Sequence, residues 1–324
     1  METYLFTPDE VSQCIEMPEL IDEVEQGFSA HHSDDSEMPP KTYVDLPQYN
    51  GDFRAMPAYV DDAAGIKWVN SHTDNPKKPQ LPAVMGVMIY SDPETAYPLA
   101  VMDGTRLTRL RTGAAAGVAT DHLASEDASS MGIIGAGGQS HTQLEAVRSV
   151  RKIDEVVVSD LDEEAVQEFI EKEQSPELDV RGGTPEEACS CDVVSTVTPS
   201  REPIIKREWI SPGTHINAMG ADAEGKQELD PQILLDSYLV VDSWEQASHS
   251  GEINVPVTEG ELTREDVDAE ISEVVTGTRP PEDSFTVFDA TGLAIQDVVT
   301  ARLVYDKGKE NDMGQKIQLT DDKE

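Results

Sequence analysis

The hydrophobic pattern divides the chain into three regimes. Over residues 8 to 30 the apolar positions recur at helical spacing, with polar residues between them. Thr7 suits a cap, Pro8 a first helical position, and Asp9 and Glu10 put acids in the first turn, so an amphipathic helix is predicted over 8–30. From about 41 to 103 short β-prone runs follow one another: KTYVDL, FRAMPAYV, GIKWVNS, AVMGVMIYS and AYPLAVMD. Gly, Pro, Asp and Asn separate them, which predicts an antiparallel sheet. Residues 105 to 124 are Ala-rich and read as a connecting helix. From about 130 to 290, runs of strand length alternate with helix-compatible segments; the strand candidates are MGIIGA, EVVVSD, DVVSTV, THINAM, YLVVDS and FTVFDA. That alternation predicts a doubly wound parallel sheet. The run TGLAIQDVVTARLVYDK reads as a helix returning to the N-terminal region, and the tail MGQKIQLTDDKE as partly solvated. The division expected is a discontinuous α+β domain of residues 1–115 and 293–324 around an α/β domain of residues 116–292.

The turn after MGII carries the most specific chemistry. An apolar strand meets Gly135, Gly137 and Gly138, then a helical run, and a second apolar run ends at Asp160. A dinucleotide-binding βαβ unit needs this order. Gly135 permits the tight turn, Gly137 lets backbone approach a pyrophosphate, and the helix N-terminus offers amides and a positive dipole end. Ser140 stands at the third position of the fingerprint, small enough for close packing. A carboxylate at Asp160 suits a free ribose 2′-hydroxyl and repels a 2′-phosphate, which favours NAD over NADP.

Charge changes the picture of the surface. The 324 residues include 64 acids and 24 bases, for a formal net charge of −40. The acids are spread along the chain, and 38% of residues are hydrophobic, so this is a folded protein and not a disordered acidic tail. The composition suits concentrated salt, where screening shortens to about 3 Å at 1 M, and it disfavours a nucleic-acid partner. METYLFTPDEVSQCIEM has neither the basic start nor the apolar core of a signal peptide. No run reaches the roughly 18 apolar residues of a membrane span, so a soluble, cytoplasmic protein is expected. Cys14, Cys189 and Cys191 lack zinc-site spacing, and the seven histidines show no common face, so no metal site is expected.

Basic residues at strand positions stand out against this acidity. Arg54 lies in FRAMPAY, and a guanidinium there can clamp a carboxylate bidentately. Lys67 lies between Ile66 and Trp68; it either snorkels to the surface or sits at a site, where burial would lower its pKa. Arg111, in LTRLRTGAAAG, is placed to meet a pyrophosphate or a carboxylate, or is a surface helix residue. Asp222 follows the strand THINAMGA at its carboxyl end, where α/β folds bind ligands, although an Asp in a loop is also an ordinary turn residue.

The segments MPPKTYVDL, DFRAMPAYV, GIKWVNSHTDNP, YPLAVMDGTRLTRLRTGAAAG, GIIGAGGQS, THINAMGADAEGKQELD, SGEINV and TGLAIQDVVTARLVY run through nearly the whole chain. Together they resemble the ornithine cyclodeaminase/μ-crystallin family and, within it, the archaeal alanine dehydrogenases. The resemblance implies a Rossmann domain, a discontinuous substrate domain whose sheet pairs in a homodimer, and hydride chemistry with NAD at the Cα–N bond of an amino acid. It gives Arg54 the substrate carboxylate, Lys67 a proton donor/acceptor role, and Arg111 a cofactor contact. It gives Gly138 and Gln139 to the phosphate turn, Asp160 to the ribose, and Gly220, Ala221, Asp222 and Lys226 to a nicotinamide-side loop. Asp222 takes the place of the catalytic Asp of the cyclodeaminases. Two positions depart from the family pattern: Ala290 stands where relatives often have a cofactor-contacting Ser, and Glu224 where Pro is frequent. The implied reaction is oxidation of L-alanine to pyruvate and ammonia. Ornithine cyclodeamination, cyclic-imine reduction and non-enzymatic ligand binding are the alternatives.

Overall fold

A proline sets the helix boundaries at the N-terminus. In a computed structural model describing residues 2–33, 35–72, 74–77, 81–281 and 284–319, strand β1 (Thr3–Phe6) leads into helix α1 (Pro8–Gln13). Thr7 Oγ1 accepts from Glu10 N, and the Glu10 carboxylate accepts from Thr7 N, a reciprocal cap. The helix expected over 8–30 is two helices, because α2 begins anew at Met17–His32. Pro18 has no N–H to give to a preceding turn, and its fixed φ suits a first turn instead.

Five of the next strands are the β-prone runs. After β2 (Ser36–Glu37) come β3 (Thr42–Leu46), β4 (Gly51–Val60), β5 (Ala63–His72), β6 (Val84–Ser91) and β7 (Pro98–Asp103). β4 to β7 pair antiparallel in sequence order, β2 and β3 both pair with β4, and β1 pairs parallel to β7. Helix α3 (Gly104–Leu123) follows. The chain divides into two compact units, Met1–Arg111 with Leu293–Glu324, and Thr112–Gly292, so the first crossing falls within α3.

The second unit alternates strand and helix: β8 (Ser130–Ile134), α4 (Ser140–Val150), β9 (Glu155–Ser159), α5 (Glu163–Glu173), β10 (Asp179–Gly182), α6 (Pro185–Cys189), β11 (Val193–Thr196) and β12 (His215–Ala218). Then come α7 (Pro231–Asp236), β13 (Tyr238–Val241), α8 (Trp244–Ser250), α9 (Asn254–Glu259), β14 (Ala269–Glu270), α10 (Ile271–Val275) and β15 (Thr286–Asp289). Every pairing is parallel, in the order β10-β9-β8-β11-β12-β15-β13-β14. This is a doubly wound Rossmann-type sheet, and its strand order reverses between β8 and β11, where such sheets open a ligand crevice. The six sequence-derived strands are all present. β10 and β14 are additional, with a single buried residue in one and only two residues in the other.

The chain ends in the first unit with α11 (Ala294–Glu310) and β16 (Gln315–Ile317). α11 packs on α2 and on β4 to β7; a Cβ at Gly27 would lie 3.3 Å from Val299, which is how closely the two helices approach. The tail read as solvated contains β16, which pairs antiparallel to β1; its residues 320–324 lie outside the described residues. Among the described residues no helix is long and apolar enough to cross a membrane.

Candidate active site

Register places the basic residues of the first unit. In the β4–β5 pair, Arg54 lies opposite Val69 and Met56 opposite Lys67, so all four share one face of the sheet. Helix α11 covers that face. Lys67 does not snorkel: it is 1% exposed, and its Nζ lies 2.7 Å from each oxygen of the fully buried Asp297 of α11, with a well-directed hydrogen bond to Oδ1. Arg111 Nε donates to the same Oδ1 at 3.0 Å, and Arg111 Nη1 donates to Gln296 Oε1 at 3.2 Å. One buried carboxylate therefore serves two buried cations. Burial pushes the Lys67 amine down to about 7; the Arg111 charge pushes the same way and Asp297 opposes both. A buried lysine poised there exchanges protons near neutral pH.

Arg54 is also buried, and its Nε and Nη2 donate to the two carboxylate oxygens of Asp52 at 2.9 and 3.0 Å. Asp52 sits two residues away on the same strand, so it fixes the guanidinium plane from its own backbone. The guanidinium also lies 5.4 Å from the centre of the Tyr43 ring.

In the second unit the predicted residues gather at the carboxyl ends of the strands. After β8, Gly135 adopts a φ of +106°, which L side chains rarely adopt, and its N–H donates to Ser159 O at the end of β9. A Cβ at Gly137 would meet nothing within 4 Å, so the turn faces open space. Gln139 precedes α4, and no side chain caps its first turn. Asp160 Oδ2 accepts from Ala136 N at 2.7 Å, tying the carboxylate after β9 to the glycine turn. After β12, Gly220 and Ala221 lead to Asp222, whose carboxylate lies 2.5 Å from Lys226 Nζ in an i,i+4 pair. Lys226 Nζ also reaches Gly220 O at 3.5 Å. After β15, Ala290 is buried and its N–H donates to Ala218 O. The neighbouring Thr291 hydroxyl donates to Asp242 at 3.1 Å.

Several residues escaped the sequence reading. Asp297 and Gln296 lie in a run read only as a returning helix. The signal was present, since an isolated Asp in IQDVVTARLV mirrors the isolated Lys in GIKWV, and two isolated opposite charges in apolar runs are candidates for one buried pair. Glu228, Glu252, Asp242 and Asp289 are also buried, and single-strand patterns gave no hint of their meeting.

Whole-chain comparison places this geometry in a known group. The model of the ornithine cyclodeaminase/mu-crystallin family matches residues 1–312, and the chain belongs to that family. An alanine dehydrogenase of Archaeoglobus fulgidus is 48% identical over 322 residues, which span 98% of this chain and 99% of that protein. The solved structure of an archaeal alanine dehydrogenase dimer with bound NAD has a TM-score of 0.95 at 47% identity, covering 99% of this chain and 100% of that one. That of Thermococcus litoralis Δ1-pyrroline-2-carboxylate reductase, in complex with NADH and L-proline, gives 0.93 at 36% identity, covering 97% and 100%.

Proposed function

We propose that the chain is an NAD-dependent alanine dehydrogenase that reversibly converts L-alanine to pyruvate and ammonia. The observation that carries the reading is Lys67, an amine that burial brings down to a pKa of about 7, paired with Asp297 beside Arg111 and on the sheet face that also bears Arg54. The similarity to alanine dehydrogenases over nearly the full chain favours alanine among possible amino acids.

The second unit fits a dinucleotide. The open space over Gly137, the uncapped first turn of α4 and the Asp160 carboxylate beside the turn suit a pyrophosphate and a ribose. The residues that would hold NAD are Gly135, Gly137, Gly138, Gln139 and Asp160, with Gly220, Ala221, Asp222, Lys226 and Ala290. At Ala290 only backbone and a methyl group are offered. Bound NAD supplies a hydride acceptor. Arg54 holds the substrate carboxylate and fixes Cα. Lys67, neutral above a pH of about 7, takes the proton that the α-ammonium group must lose. Asp222 offers negative charge to the substrate carbon as it becomes cationic. Arg111, locked on Asp297 and Gln296 of the first unit, tunes Lys67, and a cofactor contact would use its remaining donors.

A homodimer is part of the proposal. The sheet face opposite α11 presents a stacked pair, Phe53 and Trp68, with ring centroids 5.2 Å apart, beside Val87. Trp68 and Val87 are 43% and 44% exposed, an apolar surface out of character for a chain of this acidity and suited to a second copy. Sedimentation in molar KCl tests it: a monomer rejects the dimer.

Three readings of the reaction are separated by one experiment. Similarity to a Δ1-pyrroline-2-carboxylate reductase makes cyclic-imine reduction the second reading. Purified protein in molar KCl is given NAD with L-alanine, NAD with L-ornithine, or NADH with Δ1-pyrroline-2-carboxylate, while absorbance of NADH is followed and proline assayed. NADH formation with alanine alone supports the dehydrogenase. Consumption of NADH only with the imine makes the protein a reductase, and proline from ornithine without net NADH makes it a cyclodeaminase.

A further inference from the structure

The segment SGEINV has no part in the chemistry above, yet its residues lie at the centre of a ladder of buried acids in the second unit. Asp289, at the end of β15, accepts from Glu252 N at 2.8 Å and Ile253 N at 3.1 Å. The Glu252 side chain reaches onward, and its Oε1 accepts from Glu228 N at 2.8 Å and Leu229 N at 2.6 Å. Glu228 in turn accepts from Thr198 N at 2.7 Å, Thr196 Oγ1 at 2.7 Å and Gly220 N at 3.0 Å. All three acids are fully buried. Each carboxyl thus grips the backbone at or beside the next acid, and the last grips both ends of the strand–loop junctions after β11 and β12.

The ladder ends on the Gly220–Lys226 loop. Asn254, two residues beyond Glu252, adds a lateral tie: its Oδ1 accepts from Gly225 N at 2.8 Å, and its Nδ2 donates to Lys226 O at 2.8 Å and Gly251 O at 2.6 Å. Two glycines exist for this packing. A Cβ at Gly251 would lie 2.6 Å from an Asp289 oxygen, and one at Gly220 would lie 2.3 Å from Glu228 Oε2.

We propose that Asp289, Glu252 and Glu228, with Asn254, are positioning residues that hold the Gly220–Lys226 loop, and with it Asp222 and Lys226, in the geometry the reaction uses. Hydrogen bonds from backbone amides and the Thr196 hydroxyl engage every carboxyl oxygen of the ladder except Glu252 Oε2, and among the described residues no group of three or more acids, histidines or cysteines is disposed to hold a metal. The charged groups bearing on the ladder are its own members and Asp242. Burial raises all three carboxyls above their ordinary range, Asp289 to about 8, so Asp289 keeps its proton at neutral pH. Glu252 Oε2 makes no hydrogen bond, so the acceptor Oε1 is the working atom and the second oxygen tolerates replacement.

That last point sets the test. Amide hydrogen exchange is measured on the full chain in molar KCl without ligand, for wild type, Glu252→Ala and Glu252→Gln. The Ala variant should exchange about tenfold faster over residues 219–229, the loss of roughly one buried hydrogen bond or more, with β8 and β9 unchanged. The Gln variant keeps an acceptor oxygen and should stay near wild type. Unchanged loop exchange in Glu252→Ala, or loosening of the whole unit in both variants, overturns the proposal. If Glu252→Ala does not fold, Asn254→Ala decides: faster exchange at Gly225 and Lys226 supports the ladder, and unchanged exchange refutes it. The catalytic part rests on the proposed dehydrogenase reading, and predicts that kcat for alanine falls in Glu252→Ala and returns in Glu252→Gln. A protein inactive on alanine would sink that reading and leave the exchange result standing.

Discussion

Replacing Asp297 with Asn breaks up the buried cluster of Lys67, Arg111 and Asp297. The carboxylate lies 2.7 Å from Lys67 Nζ and 3.0 Å from Arg111 Nε, with Lys67 and Asp297 essentially inaccessible to water. Arg111 cannot shed its proton, so it loses its counter-charge at every pH. Removing one partner of a buried pair costs about 3–5 kcal/mol, and the lower end is expected here because Gln296 still accepts from Arg111. Lys67 behaves differently because it can escape by deprotonating. Its folded pKa of about 7 lies below the unfolded value of 10.5, so the wild-type first unit gains stability as pH rises between them. Without Asp297, which supports the charged form, the folded pKa drops further. Above pH 7 the amine is then neutral in both proteins and adds nothing to the difference. Below pH 7 only the wild type regains the ion pair. At pH 5.5, about 1.5 units lower, the variant should be a further 2 kcal/mol or so less stable, at roughly 1.36 kcal/mol per unit.

Urea unfolding at fixed molar KCl, at pH 5.5 and pH 8.5, measures both parts. The acid limb of the alanine oxidation rate gives an independent reading, because it should shift from near 7 to lower pH in Asp297→Asn. A variant whose stability deficit is the same at both pH values, and whose acid limb stays near 7, would show that Asp297 does not govern the charge on Lys67.

Three further outcomes follow from the same geometry. Lys67→Ala should lower turnover by orders of magnitude and leave NAD affinity nearly unchanged, measured by kcat and by cofactor titration; retained turnover removes Lys67 from proton transfer. Arg54→Lys keeps the charge but loses the planar two-point grip, so KM for alanine should rise about tenfold or more with a smaller change in kcat; an unchanged KM removes Arg54 from the carboxylate. Asp289 has a folded pKa of about 8, above its unfolded value of 3.8, so its contribution is fully present below pH 3.8 and is lost as pH rises from there through 8. Exchange of the buried amides of β12 and β15 should accelerate between pH 5 and pH 8 after correction for intrinsic rates, and a flat corrected rate contradicts a protonated Asp289.

Much of this fold was legible because local pattern and global structure agree. The strand runs of both sheets, the turn at Gly135 and the return at TGLAIQD are each announced by a change of period or by glycine. The break at Cys14 to Glu16 was also written, in Pro18, but the apolar spacing continues across it and outvoted a single residue. β1 and β16 were not legible, since each is short and their partners are distant in sequence. For the site, Arg54 and Lys67 stood out as bases within apolar runs, but their acids did not. Asp52 looks like one more acid among 64, and Asp297 like a polar point on a helix. A carboxylate acquires meaning from what folds against it, and sequence separation of 230 residues hides that for Lys67 and Asp297.

Salt acts differently on the two populations of charge in this molecule. The formal charge of −40 is carried almost wholly by surface acids, whose repulsion spans about 10 Å at 0.1 M salt and is cut to about 3 Å at 1 M. Stability in dilute buffer should therefore fall and recover with added KCl. The functional charges lie where that screening does not reach. Lys67 and Asp297 are inaccessible to ions, Arg111 nearly so, and the Glu228–Glu252–Asp289 ladder is fully enclosed. Each interior group also has fixed internal partners, in the first unit an opposite charge and in the second chiefly backbone amides. The pKa that serves proton transfer is then set by burial and by fixed partners at 2.7 to 3.0 Å rather than by the ionic strength outside. This separates the two requirements physically: the surface can be adapted to concentrated salt by adding acids without retuning the amine that does the chemistry. The consequence is measurable, since the thermal midpoint should depend strongly on KCl while the acid limb of the alanine oxidation rate, near pH 7, should not. A limb that moves with salt in step with stability would place Lys67 in contact with solvent ions.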